Sequence, residues 1–261
     1  MQGRSTALNI LETEEPRVEA INAAGLLHET IPATAWRRPT PHLSAAVRRA
    51  FSWRYAVAKR TIDILLSALL IILFFPVMLA VAITVALTSP GPIFFYQERL
   101  GRFGAPFRII KFRSMYTRKH KDNVFEINGH RRNEADRRNE AAYPLNKDTP
   151  DPRITPVGRI IRKLSLDELP QLFNVFLGDM SLVGPRPIVE AEVPLYGNHF
   201  AYYDLFRPGI TGLWQVSGRS DVGFERRVMF DREYASEWSC LLDFKILSLT
   251  VPAVVTMRGA Y

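Results

Sequence analysis

Two adjacent carboxylates, Asp167 and Glu168, follow Arg162-Lys163 and precede the stiff run Pro185-Arg186-Pro187. Those types in that order have a definite chemistry. One carboxylate can hold a hard divalent cation while its neighbour attacks, and guanidinium forks grip phosphate oxygens. The ordinary reading of an acid pair is a solvated helix start, with Arg162 in a surface ion pair. The rest of the chain decides between them.

The elements around the acids bear on their charge. Leu166–Leu177 has helical spacing and stops before Gly178, with Pro170 in the first turn, where proline costs least. With Ser165 as its cap, such a helix sets Asp167 and Glu168 at its positive end. That placement predicts lowered carboxylate pKa values, keeping a nucleophile ionised and a metal ligand charged. Pro185 and Pro187 hold Arg186 on a rigid, donor-poor backbone, one way to fix a guanidinium against a diphosphate. The glycines of Pro208-Gly209-Ile210-Thr211-Gly212 and of Val216-Ser217-Gly218-Arg219 lie near a basic residue. They suit either an anion loop or plain structural turns.

The chain has 261 residues and a formal net charge of +8, which fits one domain with appendages and an anionic partner. Its single cysteine, Cys240, excludes an internal disulfide and a Cys-rich zinc site, and suits a cytosol-facing protein. His28, His42, His120, His130 and His199 lack ligand spacing, which argues against a histidine metal site. Residues 1–50 read as a disordered tail with a short helix near Ala45–Tyr55. No apolar core follows Met1 as a secretory signal would.

From Ile64 to Leu87 the chain carries no charge. A straight helix of that length would reach about 36 Å, enough to cross a bilayer. Two features oppose a simple crossing. Pro76 lies near the middle, and both flanks are basic: Arg54, Lys59 and Arg60 before it, Arg99, Arg102 and Lys111 after it. A crossing would put one basic cluster on the wrong side. A helix that breaks at Pro76 and re-emerges on its own face satisfies both flanks. A proline-kinked crossing helix is the rival.

Ser89-Pro90-Gly91-Pro92 is a turn, and Ile93–Arg99 and Phe107–Met115 read as a β-hairpin presenting Arg108, Lys111 and Arg113. Residues 117–150 form a charged insertion, a solvated helix or loop without a catalytic role. Phe224–Glu237 has helical spacing, and the last apolar run, from Leu241, suits an interfacial or core helix.

These pieces together resemble the bacterial sugar transferase family, the monotopic phosphoglycosyl transferases that initiate exopolysaccharide and glycoconjugate assembly. The likeness rests on Lys59-Arg60-Thr61-Ile62-Asp63, Ser89-Pro90-Gly91-Pro92, Gln97-Glu98-Arg99-Leu100-Gly101 and Lys111-Phe112-Arg113-Ser114-Met115. It continues through Ser165–Pro187, Arg207–Gly212 and Asp243-Phe244-Lys245-Ile246-Leu247. It implies transfer of a sugar-1-phosphate from a UDP-sugar to a polyprenyl (undecaprenyl) phosphate, with UMP released through an aspartyl-phosphosugar intermediate. By position, Asp167 is the nucleophile and Glu168 the ligand of Mg2+. Arg162, Arg186 and Arg219 hold phosphate or nucleotide, with Pro185 and Pro187 shaping that loop. Lys111 and Asp243 join the substrate-binding set or serve structure, and Pro76 breaks the membrane helix. The implied home is the bacterial inner membrane, with the active site facing the cytosol, membrane lipid as a neighbour and room for a homo-oligomer. Some members place serine before the membrane proline; here Phe75 stands there.

The expected architecture is α+β. A membrane-associated re-entrant helix over 51–88 precedes a mainly helical catalytic domain over 89–261, with a short β-hairpin and interfacial helices. Neighbouring acids are poor geometry for a glycosidase, whose carboxylates flank a sugar. Nothing in the basic residues forms a nucleic-acid motif, so no nucleic-acid partner is expected. The remaining rival is a non-catalytic scaffold or regulator on anionic lipid.

Overall fold

The computed structural model describes residues 41–116, 125–127, 130–132, 153–218 and 223–255. Helix α1 (Pro41–Ala50) starts earlier than the expected Ala45 and belongs to the main core. Leu43, Ala46 and Ala50 are buried at helical spacing, so the core reaches back past residue 50.

After a single turn of π-helix at Arg54–Lys59, helix α2 runs over Arg60–Thr88. It is the one helix among the described residues long and apolar enough to cross a membrane. The helix runs on through Pro76 and is not divided there into two helices. Proline removes one helical hydrogen bond, but contacts on both sides hold the two halves. Asp63, Ser67, Met78, Val81 and Val85 are buried along one stripe, while Leu65, Leu69, Ile72, Leu73 and Phe75 are exposed on the other.

Both ends of α2 are tied to one body. Near its start, Arg60 donates to the carbonyls of Val175 and Phe176 at 2.6 and 2.7 Å. Asp63 accepts from Ser181 Oγ and Leu182 N, both at 3.0 Å. Near its end, Arg113 donates to the Ser89 carbonyl at 2.6 Å and the Pro90 carbonyl at 3.1 Å. Arg113 is therefore buried, not presented by the hairpin as its sequence suggested. A guanidinium with several donors can close the orphan carbonyls at a helix C-terminus, and that use outcompetes solvent.

The hairpin forms as expected. Strand β1 (Phe94–Leu100) pairs antiparallel with β2 (Pro106–Phe112), so that Phe95 faces Lys111. Within the charged insertion, β3 (Phe125–Ile127) pairs with β4 (His130–Arg132), where a helix or loop was expected. Helix α3 (Pro156–Lys163) is capped by Thr155, which accepts from Gly158 N at 2.7 Å. Helix α4 (Gln171–Leu177) leads to β5 (Ser181–Val183). The short helices α5 (Val193–Tyr196) and α6 (Phe200–Asp204) follow. Strand β6 (Gly209–Thr211) then pairs parallel with β5. The chain closes with α7 (Leu213–Val216), α8 (Phe224–Glu237) and α9 (Cys240–Val255). The mixture of helices and small sheets is α+β.

Asp243, on α9, sits in a network that fits the structural one of its two expected roles. It accepts from Lys59 Nζ at 2.7 Å, Tyr234 Oη at 2.9 Å and Trp238 Nε1 at 3.1 Å. These three bonds join α9 and α8 to the chain just before α2. Breaking a buried ion pair from one side leaves the other charge stranded, at a cost of roughly 3–5 kcal/mol. Asp243→Ala should therefore lower the thermal melting temperature of detergent-purified protein sharply. A variant that melts with the wild type would return Asp243 to the substrate-binding set.

Candidate active site

The acids stand on a 3-10 turn, Leu166–Glu168, between α3 and α4. Pro170 explains the turn: it has no N–H to donate back to Leu166, so the α-helical ladder cannot start there. Shorter bonds replace it, Glu168 N to Ser165 O and Leu169 N to Leu166 O, both 3.3 Å. Ser165 sits in the left-handed region (φ 55°) and makes no side-chain cap. The acids thus precede α4 instead of occupying its first turn.

That difference reverses the expected direction of the shift at Asp167. Its carboxyl is pushed up to about 6, first by burial and then by the neighbouring Glu168 charge, against the opposing pull of Lys111 and Arg162. Glu168 goes the other way. Burial works to raise it, but Lys111 and then Arg186 outweigh that and hold it below the usual range. Lys111 Nζ contacts Glu168 Oε1 at 2.7 Å. Two neighbouring carboxylates are thereby made unlike, one lowered by its cations and one raised by burial and by its neighbour.

Asn174 sets this geometry, and it was not legible as a site residue. Buried on α4, it accepts from Ile110 N at 3.0 Å and donates to the Arg108 carbonyl at 2.8 Å. Its amide acts as a short extra strand along β2, fixing which β2 residue meets the acid turn. That residue is Lys111. A polar residue inside a run such as Gln171–Leu177 looks like a solvated helix position; burial alone reveals its role.

The arginine loop comes from the other side. Strands β5 and β6 approach so closely at Gly184 and Gly209 that a Cβ on Gly209 would lie 2.1 Å from Gly184 N. The glycines of the 208–212 run are therefore structural, holding Pro185-Arg186-Pro187 in place. Pro185 and Pro187 are buried, and the Arg186 guanidinium lies 5.3 Å from the centre of the Trp214 ring. Its charge reaches Glu168, as that of Arg162 reaches Asp167. Lys111, Arg162, Asp167, Glu168 and Arg186 thus converge. Asp243 stands apart in the structural network described above, and Arg219 falls outside the described residues.

Among the described residues no group of three or more His, Cys, Asp or Glu side chains is placed to hold a metal alone. The donor set still fits magnesium, which commonly takes one or two carboxylates and completes its shell with water and substrate phosphates. Lys111 engages only one oxygen of Glu168 among the acid pair.

Comparison with known proteins bears on the same segment. The family model described as bacterial sugar transferase matches residues 54–257. The exopolysaccharide production protein ExoY of Rhizobium meliloti (strain 1021) is 43% identical over 209 residues, covering 78% of this chain and 88% of its own. The undecaprenyl-phosphate galactose phosphotransferase of Salmonella typhimurium is 45% identical over 203 residues, covering 78% of this chain and 41% of its own. The UDP-glucose:undecaprenyl-phosphate glucose-1-phosphate transferase of Escherichia coli (strain K12) is 39% identical over 211 residues, with coverage of 78% and 41%. The last two are thus much longer proteins, matched over about two fifths of their length.

The split between the acids gives a pH dependence. A reaction in which ionised Asp167 attacks should lose kcat/KM as pH falls through about 6, because the proton taken up there removes the nucleophile. Glu168→Gln removes the neighbouring charge that raises Asp167, so the acid limb of any remaining activity should move to lower pH. Steady-state rates across a pH series check both, and a limb unmoved by Glu168→Gln would contradict the coupling.

Proposed function

This chain belongs to the bacterial sugar transferase family and is an enzyme of the phosphotransferase type, and we propose that it moves a sugar-1-phosphate from a UDP-sugar to undecaprenyl phosphate, releasing UMP. The observation that carries the reading is the acid turn itself: Glu168 paired with Lys111 at 2.7 Å, beside Asp167, whose carboxyl is raised by burial and by that neighbour. In the first step an Asp167 carboxylate oxygen attacks the β-phosphorus of the donor. The bond from that phosphorus to the bridging oxygen breaks, and UMP leaves with the electron pair. In the second step a phosphate oxygen of the lipid attacks the same phosphorus and displaces Asp167, giving undecaprenyl diphosphate sugar. Two anionic substrates then need never be aligned together, because each reacts with the enzyme in turn.

The chain's own residues each have a part. Arg162 sits on the Asp167 side and Arg186 on the Glu168 side, so positive charge flanks the acid turn where phosphate charge would gather. Lys111 keeps Glu168 ionised and pinned. Glu168 and the donor's diphosphate oxygens offer the set that Mg2+ takes, and the bound ion would offset the charge of the diphosphate.

Membrane attachment is read from α2. Arg60 and Asp63 hold its start, and Arg113 holds its end, to the body that carries Lys111 and the acids. A helix that crossed the bilayer would carry one of those ends about 30 Å from the other side's surface. We therefore take α2 to bend at Pro76 while staying helical, and to enter and leave on the face of the catalytic body, in the inner membrane, with the site at the cytosolic surface. The symmetric basic flanks agree with this. There a soluble nucleotide sugar and a lipid phosphate can both reach Asp167.

The reading is tested by UMP release from a panel of UDP-sugars by detergent-purified protein with magnesium and undecaprenyl phosphate. UDP-galactose and UDP-glucose come first, by analogy with the named relatives. One donor should release UMP, and Asp167→Asn should lower the rate by on the order of a thousandfold or more. A fully active Asp167→Asn would overturn the nucleophile. Well-folded protein inactive with every donor would favour a non-catalytic scaffold on anionic lipid.

A further inference from the structure

Strands β5 and β6 run parallel with Val183 opposite Thr211, and each leads into one partner of a contact. Arg186 and Trp214 each lie three residues beyond that pair. The two exits are locked together. Gly184 N donates to the Thr211 carbonyl at 2.9 Å, and a Cβ on Gly212 would collide with the Gly184 carbonyl. Both proline carbonyls beside Arg186 are taken as well, that of Pro185 by Gly209 N at 2.8 Å and that of Pro187 by Arg99 Nη1 at 3.2 Å. The backbone under Arg186 is thus fixed relative to Trp214, and the guanidinium carbon lies 5.3 Å from the centre of the indole ring.

At that distance a ring face attracts a cation, and indole attracts more strongly than phenyl. A second guanidinium braces the ring from α8. Arg227 lies 5.7 Å from the same ring and is itself anchored, donating to Glu192 Oε1 and to Tyr196 Oη, both at 3.3 Å. The indole is kept at a cost. Trp214 Nε1 is buried and has no hydrogen-bond partner among the described residues. A buried donor left unpaired destabilises, and a phenyl ring would fill much of the same space without it. What indole supplies beyond phenyl is the stronger ring face.

We infer that Trp214 is a positioning residue: its indole face holds the Arg186 guanidinium in the orientation that meets the diphosphate of the nucleotide donor. The inference rests on the transferase reading above, in which Arg186 stands where phosphate charge gathers. A guanidinium laid against a fixed ring has fewer torsions left to lose when it grips an anion. An aromatic residue that only filled the core would act whether or not the guanidinium were present.

A double-mutant cycle separates the two, with UDP and magnesium as the probe and calorimetry on the detergent-purified full chain as the readout. Trp214→Leu and Trp214→Met, which lack a ring, should each weaken UDP binding about fivefold or more, the scale of a partly desolvated cation–π contact. Trp214→Phe, which keeps a weaker ring face, should recover much of that loss. In an Arg186→Gln background, which keeps the side chain's bulk without its charge, none of the three should alter affinity by more than about twofold. Equal losses in both backgrounds would mean that the ring supports the fold or meets the donor itself, and would overturn the positioning role. So would no loss from the ringless variants, or a Trp214→Phe that binds no better than they do. If Trp214→Leu gives no cooperative melt, the Trp214→Met and Trp214→Phe cycles decide by the same criterion. UMP release by the wild type in the same preparations distinguishes the two readings. An active wild type with an additive cycle overturns the positioning alone, whereas a wild type inactive with every donor overturns the transferase reading and this inference with it.

Discussion

Two carboxylates on neighbouring residues cannot both carry charge in a partly desolvated turn unless a cation is fixed beside them. Lys111, 2.7 Å from Glu168, is that cation, and much of the architecture serves to put it there. The β1–β2 hairpin carries it, Asn174 sets the hairpin's position against α4, and Pro170 keeps the acids on a tight turn ahead of that helix. Coulomb attraction at that distance, in a medium less polar than water, exceeds the penalty of burial for Glu168. For Asp167 it does not. The site is therefore a device for making two similar groups behave differently.

The same sheet also ties the site to the apolar helix. Arg113 lies two positions beyond Lys111 and binds the end of α2, while the chain around α4 and β5 binds its beginning. Movement of the helix and movement of the acid turn are thus coupled through a few buried hydrogen bonds. For the proposed transfer between a soluble nucleotide sugar and a lipid phosphate this is a useful constraint, because the acid turn keeps a fixed relation to the apolar helix.

Much of this was legible in the residues. Ser89-Pro90-Gly91-Pro92 closed the apolar helix, the hairpin appeared at Phe94–Phe112, and Phe224–Glu237 formed the helix its spacing promised. The acid pair and its basic neighbours were visible as a group. Their charge states were not. With Ser165 as a helix cap, the helix dipole would have lowered both acids. Ser165 instead took a left-handed backbone, and burial together with mutual repulsion won for Asp167. For Asp243 the residues left a substrate and a structural role open, and only the packing of Lys59, Tyr234 and Trp238 around it favours the second. Asn174 lies in a stretch that reads as ordinary apolar helix, and only tertiary packing marks it as buried and committed.

The central claim is that Asp167, and not its neighbour, takes the sugar phosphate. It is tested most directly by incubating the chain with its donor and magnesium in the absence of lipid, quenching, and mapping the adduct by peptide mass spectrometry. The account predicts a sugar-phosphate adduct on Asp167 with UMP released in step, discharged when undecaprenyl phosphate is added. An adduct on Glu168, or UMP release that needs the lipid and leaves no adduct on the protein, would contradict it.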